Sequence, residues 1–175
     1  MLKVHKYLSK NLASLFWPEF VVVGDCIFIK SKNTHKGNRH LYNEAAAYPM
    51  ETEAEINCRN ILVECFQHDA RAKKAPFYKT RHPDFLRACE MGRAICALWA
   101  SKLMNDFPNA DFRVYFHGFM PIVRFHKVRR RKANFFEAKH YPNEIENGEV
   151  VILDTRILKR QKTRKRIGGI TMAHN

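Results

Sequence analysis

Long apolar runs are missing from this chain of 175 residues: none reaches the ~18 residues that a membrane-spanning helix needs. Its first segment mixes Lys3, His5, Lys6 and Lys10 with apolar residues, so it lacks the uninterrupted core of a secretory signal, and the expected setting is the cytosol or the nucleus. The chain has no CxxC, no Walker loop, no GxGxxG, no HExxH and no GxSxG. Those absences remove the common signatures of close-spaced metal sites, nucleotide hydrolysis, dinucleotide binding, zinc proteolysis and serine hydrolysis. No cofactor and no metal is expected. Acidic residues are also scarce, 17 against 31 lysines and arginines, which leaves a net charge of +14.

That excess is localised. Lys127 to Lys132 holds five cations (Lys127, Arg129, Arg130, Arg131, Lys132), and Arg156 to Arg166 holds seven (Arg156, Lys159, Arg160, Lys162, Arg164, Lys165, Arg166); neither window contains an acid. Without these 12, 19 basic residues face 17 acids, a body near neutrality at +2. Clustered cations on a balanced body point to a polyanionic partner, because each phosphate contact releases condensed counterions.

The five cysteines, Cys26, Cys58, Cys65, Cys89 and Cys96, form two pairs spaced by seven residues. Seven residues is two helical turns, about 10 Å, too far for a disulfide within one helix. Reduced, buried thiols are expected.

Periodicity gives the organisation. Residues 2–16 read as an amphipathic helix stopped by Pro18. Phe20 to Ile29 reads as a hairpin about Gly24-Asp25, with glycine supplying the positive φ of a two-residue turn. Residues 31–40 read as a polar loop. Thr52 and Glu55 form a capping-box pattern before a helix over 53–68. His82-Pro83-Asp84 opens a longer helix whose Phe85, Cys89, Gly92, Cys96, Trp99 and Leu103 share one face, widened by Ile95 and Leu98. Gly92 in its middle marks a close backbone approach. Strands follow at 112–116, 122–128 and 149–154. The expected fold is α+β: a mainly antiparallel sheet of four to five strands packed against three helices. A single domain spans 1–155, with a flexible basic tail over 156–175.

The late hairpin offers a second candidate surface. With Val123 and Phe125 turned to the core, Arg113, Tyr115, His117, Arg124 and His126 share the opposite face, predicted to be exposed. Cations for phosphates and rings for bases are what single-stranded or RNA binding uses. The leading expectation is a non-enzymatic nucleic-acid-binding protein that uses this face and both basic windows. The same cluster also has the parts of a metal-independent ribonuclease: His117 and His126 as base and acid, Arg113 and Arg124 to hold developing charge, Tyr115 to position the base. Phe135, Phe136 and Tyr141 are expected to pack under the sheet; a third reading instead makes them the anchors of an adaptor or inhibitor of an acidic protein, steered by Arg129 to Lys132.

Overall fold

The computed structural model describes residues 12–31, 34, 38–66, 79–130 and 136–161. The expected C-terminal tail beyond 161, the start of the first helix, and Arg131, Lys132 and Phe135 lie outside the described residues.

The fold is α+β, as the order of elements implies. Residues 12–16 are helical (α1), followed by the hairpin β1 (Phe20–Val23) and β2 (Cys26–Ile29). Val23 pairs with Cys26 across the two-residue turn, and Gly24 takes φ 60°, which L side chains rarely adopt.

Two helices then replace the expected loop and single helix. α2 (Arg39–Ala47) starts at Asn38, whose side chain accepts from the Leu41 amide, and buries Leu41 and Ala45. α3 (Pro49–Ile56) begins at Pro49, a residue pre-shaped for a first helical turn. Thr52 is therefore not a cap. Its hydroxyl donates to the Tyr48 carbonyl at 2.7 Å, inside the helix. The chain breaks at Asn57, forms β3 (Arg59–Asn60), and resumes as α4 (Ile61–Phe66). Cys58 thus lies outside any helix and shares no face with Cys65; all five thiols are free.

α5 (Pro83–Asp106) is the central helix, capped by the His82 side chain accepting from the Asp84 amide. It buries Phe85, Cys89, Ile95, Cys96, Trp99 and Leu103, whereas Leu98, expected to join them, is exposed. β4 (Phe112–His117), β5 (Ile122–Lys127) and β6 (Val150–Asp154) complete an antiparallel sheet of order β3-β5-β4-β6, separate from the β1-β2 hairpin. Phe112, Val114, Phe116, Val123 and Phe125 face α5 and form the main core with Trp99. A short turn (Ala138–His140) and α6 (Pro142–Glu146) lead into β6. Residues 155–161 are helical (α7), so the expected tail begins as structure.

The two sheets are joined by α3. Strand alternation leaves the amides and carbonyls of Ile27 and Ile29 on β2, and of Phe125 and Lys127 on β5, turned away from their ladders. Glu53 and Asn57, one helical turn apart, supply the missing partners. Glu53 accepts from the Ile27 amide (2.8 Å) and the Lys127 amide (2.9 Å). Asn57 accepts from the Ile29 amide (2.8 Å) and donates to the Ile27 carbonyl (2.9 Å). These two side chains take the place of a strand between β2 and β5.

Candidate nucleic-acid interface

The hairpin face predicted to be exposed is covered. Val123 and Phe125 do face the core, yet the opposite face is a second apolar contact rather than an open surface. Tyr115 and His126 are each 0% exposed. Phe136 and Tyr141 stack on each other, 4.2 Å between centroids at 14°, and Phe136 lies 4.3 Å from the His117 ring and 5.6 Å from Tyr115. The sheet thus carries an aromatic layer on each side, and Phe136 and Tyr141 pack in the second of them.

Several polar groups on this face are bonded within the protein, but the buried Nε2 of His117 has no hydrogen-bond partner among the described residues. The Nδ1 of His126 lies 3.0 Å from the Lys127 carbonyl, which only accepts, so Nδ1 carries the proton. Nε2 then accepts from the Tyr115 hydroxyl at 2.5 Å. Arg113 pairs with Asp154 (3.1 Å), and Arg156 clasps the same carboxylate (2.6 Å). Burial works to raise the Asp154 carboxyl, but the hydrogen bonds from Arg156 and Arg113 outweigh it and hold the group at about 2.

This geometry removes support from the ribonuclease arrangement. His117 stands opposite Ile122 and His126 opposite Arg113. Four residues of strand separate the two rings, roughly 13 Å at the usual rise, too far to flank one phosphodiester. Burial pushes both imidazoles down to about 4. A group held neutral by its surroundings takes up fewer protons folded than unfolded. Each histidine therefore contributes stability that is intact above its ordinary value near 6.5 and is lost as pH falls through about 4. Urea unfolding from pH 7 to pH 4 is expected to show a steep decline below 6.5. NMR titration is expected to place both folded-state midpoints near 4, and a midpoint near 6.5 for either would contradict its burial.

The basic windows divide into inward and outward cations. Lys127 bonds the Asp25 carboxylate. Arg129, with its side chain 11% exposed, reaches Asp25 (3.1 Å) and the buried Glu53 (2.7 Å). All of Glu53's partners are N–H donors, so although burial raises its affinity for a proton, it stays a carboxylate. Burial alone would lower the Arg129 guanidinium, but the bond to Glu53 prevails and raises it. In the second window Arg156 is held by Asp154, and Lys159 by Asp111 (3.0 Å) and the carbonyls of Pro108 and Ala110. Four of the twelve cations expected to meet phosphate thus bond carboxylates of the protein itself. Arg130 and Arg160 are exposed and pair with no described carboxylate. Arg131, Lys132, Lys162, Arg164, Lys165 and Arg166 lie outside the described residues. Arg124 is half-buried on the covered face.

The sheet brings the two windows together. β5 and β6 both run antiparallel to β4, so they point the same way. Lys127 sits opposite Phe112 and Asp154 opposite Arg113. Both windows therefore leave one end of the sheet, two strand spacings or about 10 Å apart. Bonds from the Val128 amide to the Asp111 carbonyl (2.7 Å) and from the Phe112 amide to the Thr155 hydroxyl (2.8 Å) pin the two exits.

Sequence reasoning missed Asp25 and Glu53, the acids that hold the first window. They lie 102 and 76 residues from their partners Lys127 and Arg129, and no local pattern links them. Among the described residues no group of three or more His, Cys, Asp or Glu is placed to hold a metal ion, and no helix is long and apolar enough to cross a membrane. No family model matches the chain, and no curated protein or solved structure matches it either.

Proposed function

We propose that this is a non-enzymatic nucleic-acid-binding protein that grips the phosphate backbone where the two basic windows leave the sheet. The observation that carries the reading is their shared exit. Two cationic segments 29 residues apart in the chain start about 10 Å apart in space, so one strand of nucleic acid can meet both. Among the described residues, Arg130 and Arg160 are exposed cations of these windows with no carboxylate partner. The covered hairpin face takes no part, which moves the site from the middle of the sheet to its end. RNA or other single strands suit this site better than duplex, because an exposed tyrosine, Tyr42, adjoins Arg129, and only unpaired bases can stack on such a ring.

Salt dependence tests the reading. Each phosphate neutralised on a single strand contributes a slope of about −0.7. Five engaged cations are expected to give a slope of about −3 or steeper in log affinity against log salt for an oligouridylate. Replacing Arg130, Arg131 and Lys132 together by alanine is expected to flatten it by about 2. A flat wild-type line would overturn the proposal, as would purification in stoichiometric complex with an acidic protein that survives nuclease treatment. The latter result favours the adaptor reading.

A further inference from the structure

We infer that the turn of the first hairpin carries a seat for one unpaired nucleotide, with the base against Tyr42 and the phosphate on Lys127 and Arg129. This rests on the nucleic-acid reading and gives it a second contact of a different chemistry.

The seat is a cavity of about 330 Å³ between the hairpin turn and α2, lined by Val23, Gly24, Tyr42, Ala45, Ala46 and Arg129. That volume is at the low end for small-molecule sites and suits one nucleoside. Three features shape it. Tyr42 is not used by the core: α2 buries Leu41 and Ala45, while Tyr42 is 54% exposed. The alanines are short, so the helix side of the cavity is flat. Gly24 forms the opposite side, where a Cβ would lie 3.8 Å from the Tyr42 ring edge, in ordinary van der Waals contact.

One end of the cavity already holds an anion. The Asp25 carboxylate is gripped by Lys127 and by the Nε of Arg129 at 3.1 Å, while Arg129 Nη2 donates to the Asp25 carbonyl at 3.1 Å. Asp25 is a side chain 65% exposed on a turn, and exposed ion pairs are weak. Arg129 is different. Its Nη1 is fixed on buried Glu53, so the guanidinium holds its position whether or not Asp25 stays. A backbone phosphodiester presents two charged non-bridging oxygens, as a carboxylate does, and can take the place of Asp25 on a cation pair that is already in place. In the free protein Asp25 acts as a placeholder. Base in a flat-walled aromatic slot and phosphate on a fixed arginine together describe a nucleotide within a strand.

Three variants and one probe test this, with oligouridylate affinity as the readout. Tyr42→Ala is expected to weaken binding roughly 5- to 100-fold, the range that loss of one base stack produces, while Tyr42→Phe keeps it. Asp25→Asn is expected to tighten binding severalfold and to steepen the salt slope by about 0.7, as one more phosphate contact forms. Glu19→Gln is the control. It removes an exposed carboxylate paired with Lys30 at the other end of the hairpin, with the same change in net charge and no contact with the seat. Thermal unfolding confirms that each variant is folded. Uridine 5′-monophosphate is expected to shift the NMR signals of Gly24, Tyr42 and Ala46. The seat is overturned if Tyr42→Ala binds as wild type does, or if Asp25→Asn gains no more than Glu19→Gln, even where wild-type binding is tight and salt-dependent. If the monophosphate shifts these signals but no oligonucleotide binds, the seat stands and the broader reading falls. If neither binds, both fall.

Discussion

Replacing Glu53 with alanine is expected to destabilise the protein by about 3–5 kcal/mol, the usual cost of removing one partner of a buried ion pair. On a domain of this size that lowers the melting temperature by roughly 10 °C. Glu53 is 0% exposed and serves three donors on three segments: the Ile27 amide, the Lys127 amide and the Arg129 guanidinium. Alanine leaves all three without their acceptor inside the protein, and an unsatisfied buried donor costs far more than a hydrogen bond contributes net. Glu53→Gln separates charge from hydrogen bonding. The amide oxygen can still accept from one backbone N–H, so this variant is expected to be damaged less than alanine and to lose mainly the Arg129 bond. The same variants probe the seat at the hairpin turn, because Glu53 anchors Arg129 there. Differential scanning calorimetry measures the loss. A change below about 1 kcal/mol, typical of exposed ion pairs, would show that α3 does not hold the sheets together.

Gly92→Ala is expected to be the next most damaging of the single substitutions considered. Alanine is ordinarily the better helix residue, by about 1 kcal/mol. Here a Cβ on residue 92 would lie 2.3 Å from Cε2 and 2.6 Å from Cδ2 of Phe116. Phe116 is 0% exposed, facing α5 from near the end of β4, so its ring has no free space to move into. Overpacking of this kind costs about 1–3 kcal/mol, and the severity of the overlap points to the upper end, enough to exceed the gain in helix propensity. Phe116→Leu removes the offending ring edge at the expense of a smaller core. The double variant is therefore expected to be more stable than the sum of the two single losses predicts. Strict additivity in urea unfolding would mean that α5 and β4 do not meet at this point.

Several features of the fold were legible in the chain because local chemistry dictates them. Gly24 marks the first hairpin, since few other residues tolerate its positive φ. His82-Pro83-Asp84 marks the start of α5, and Gly92 marks its close approach to the sheet. Alternation along 112–116 and 122–128 assigns the inward residues correctly. Less was legible between 31 and 68. The Asn38 cap and Pro49 are present as signals, but short helices bury few residues and their stripes are faint. The break at Asn57 has no local cause. That side chain is committed to Ile29 and Ile27 on another strand.

The candidate site divides along the same line. Alternation shows that Arg113, Tyr115, His117, Arg124 and His126 share a face, but it cannot show whether later residues return to cover it. Phe136 and Tyr141 do so.

Composition and periodicity were enough to establish an α+β chain with a nearly neutral body and two intensely basic segments, because charge and residue period are properties of neighbours in the chain. Which cations stay available, and the fact that both segments leave one end of the sheet, were decided by tertiary structure. Ion pairing between Asp25, Glu53 and the first segment, and the common direction of β5 and β6, depend on contacts between residues far apart in the chain, and only folding brings those residues within the few ångströms over which hydrogen bonds and ion pairs act.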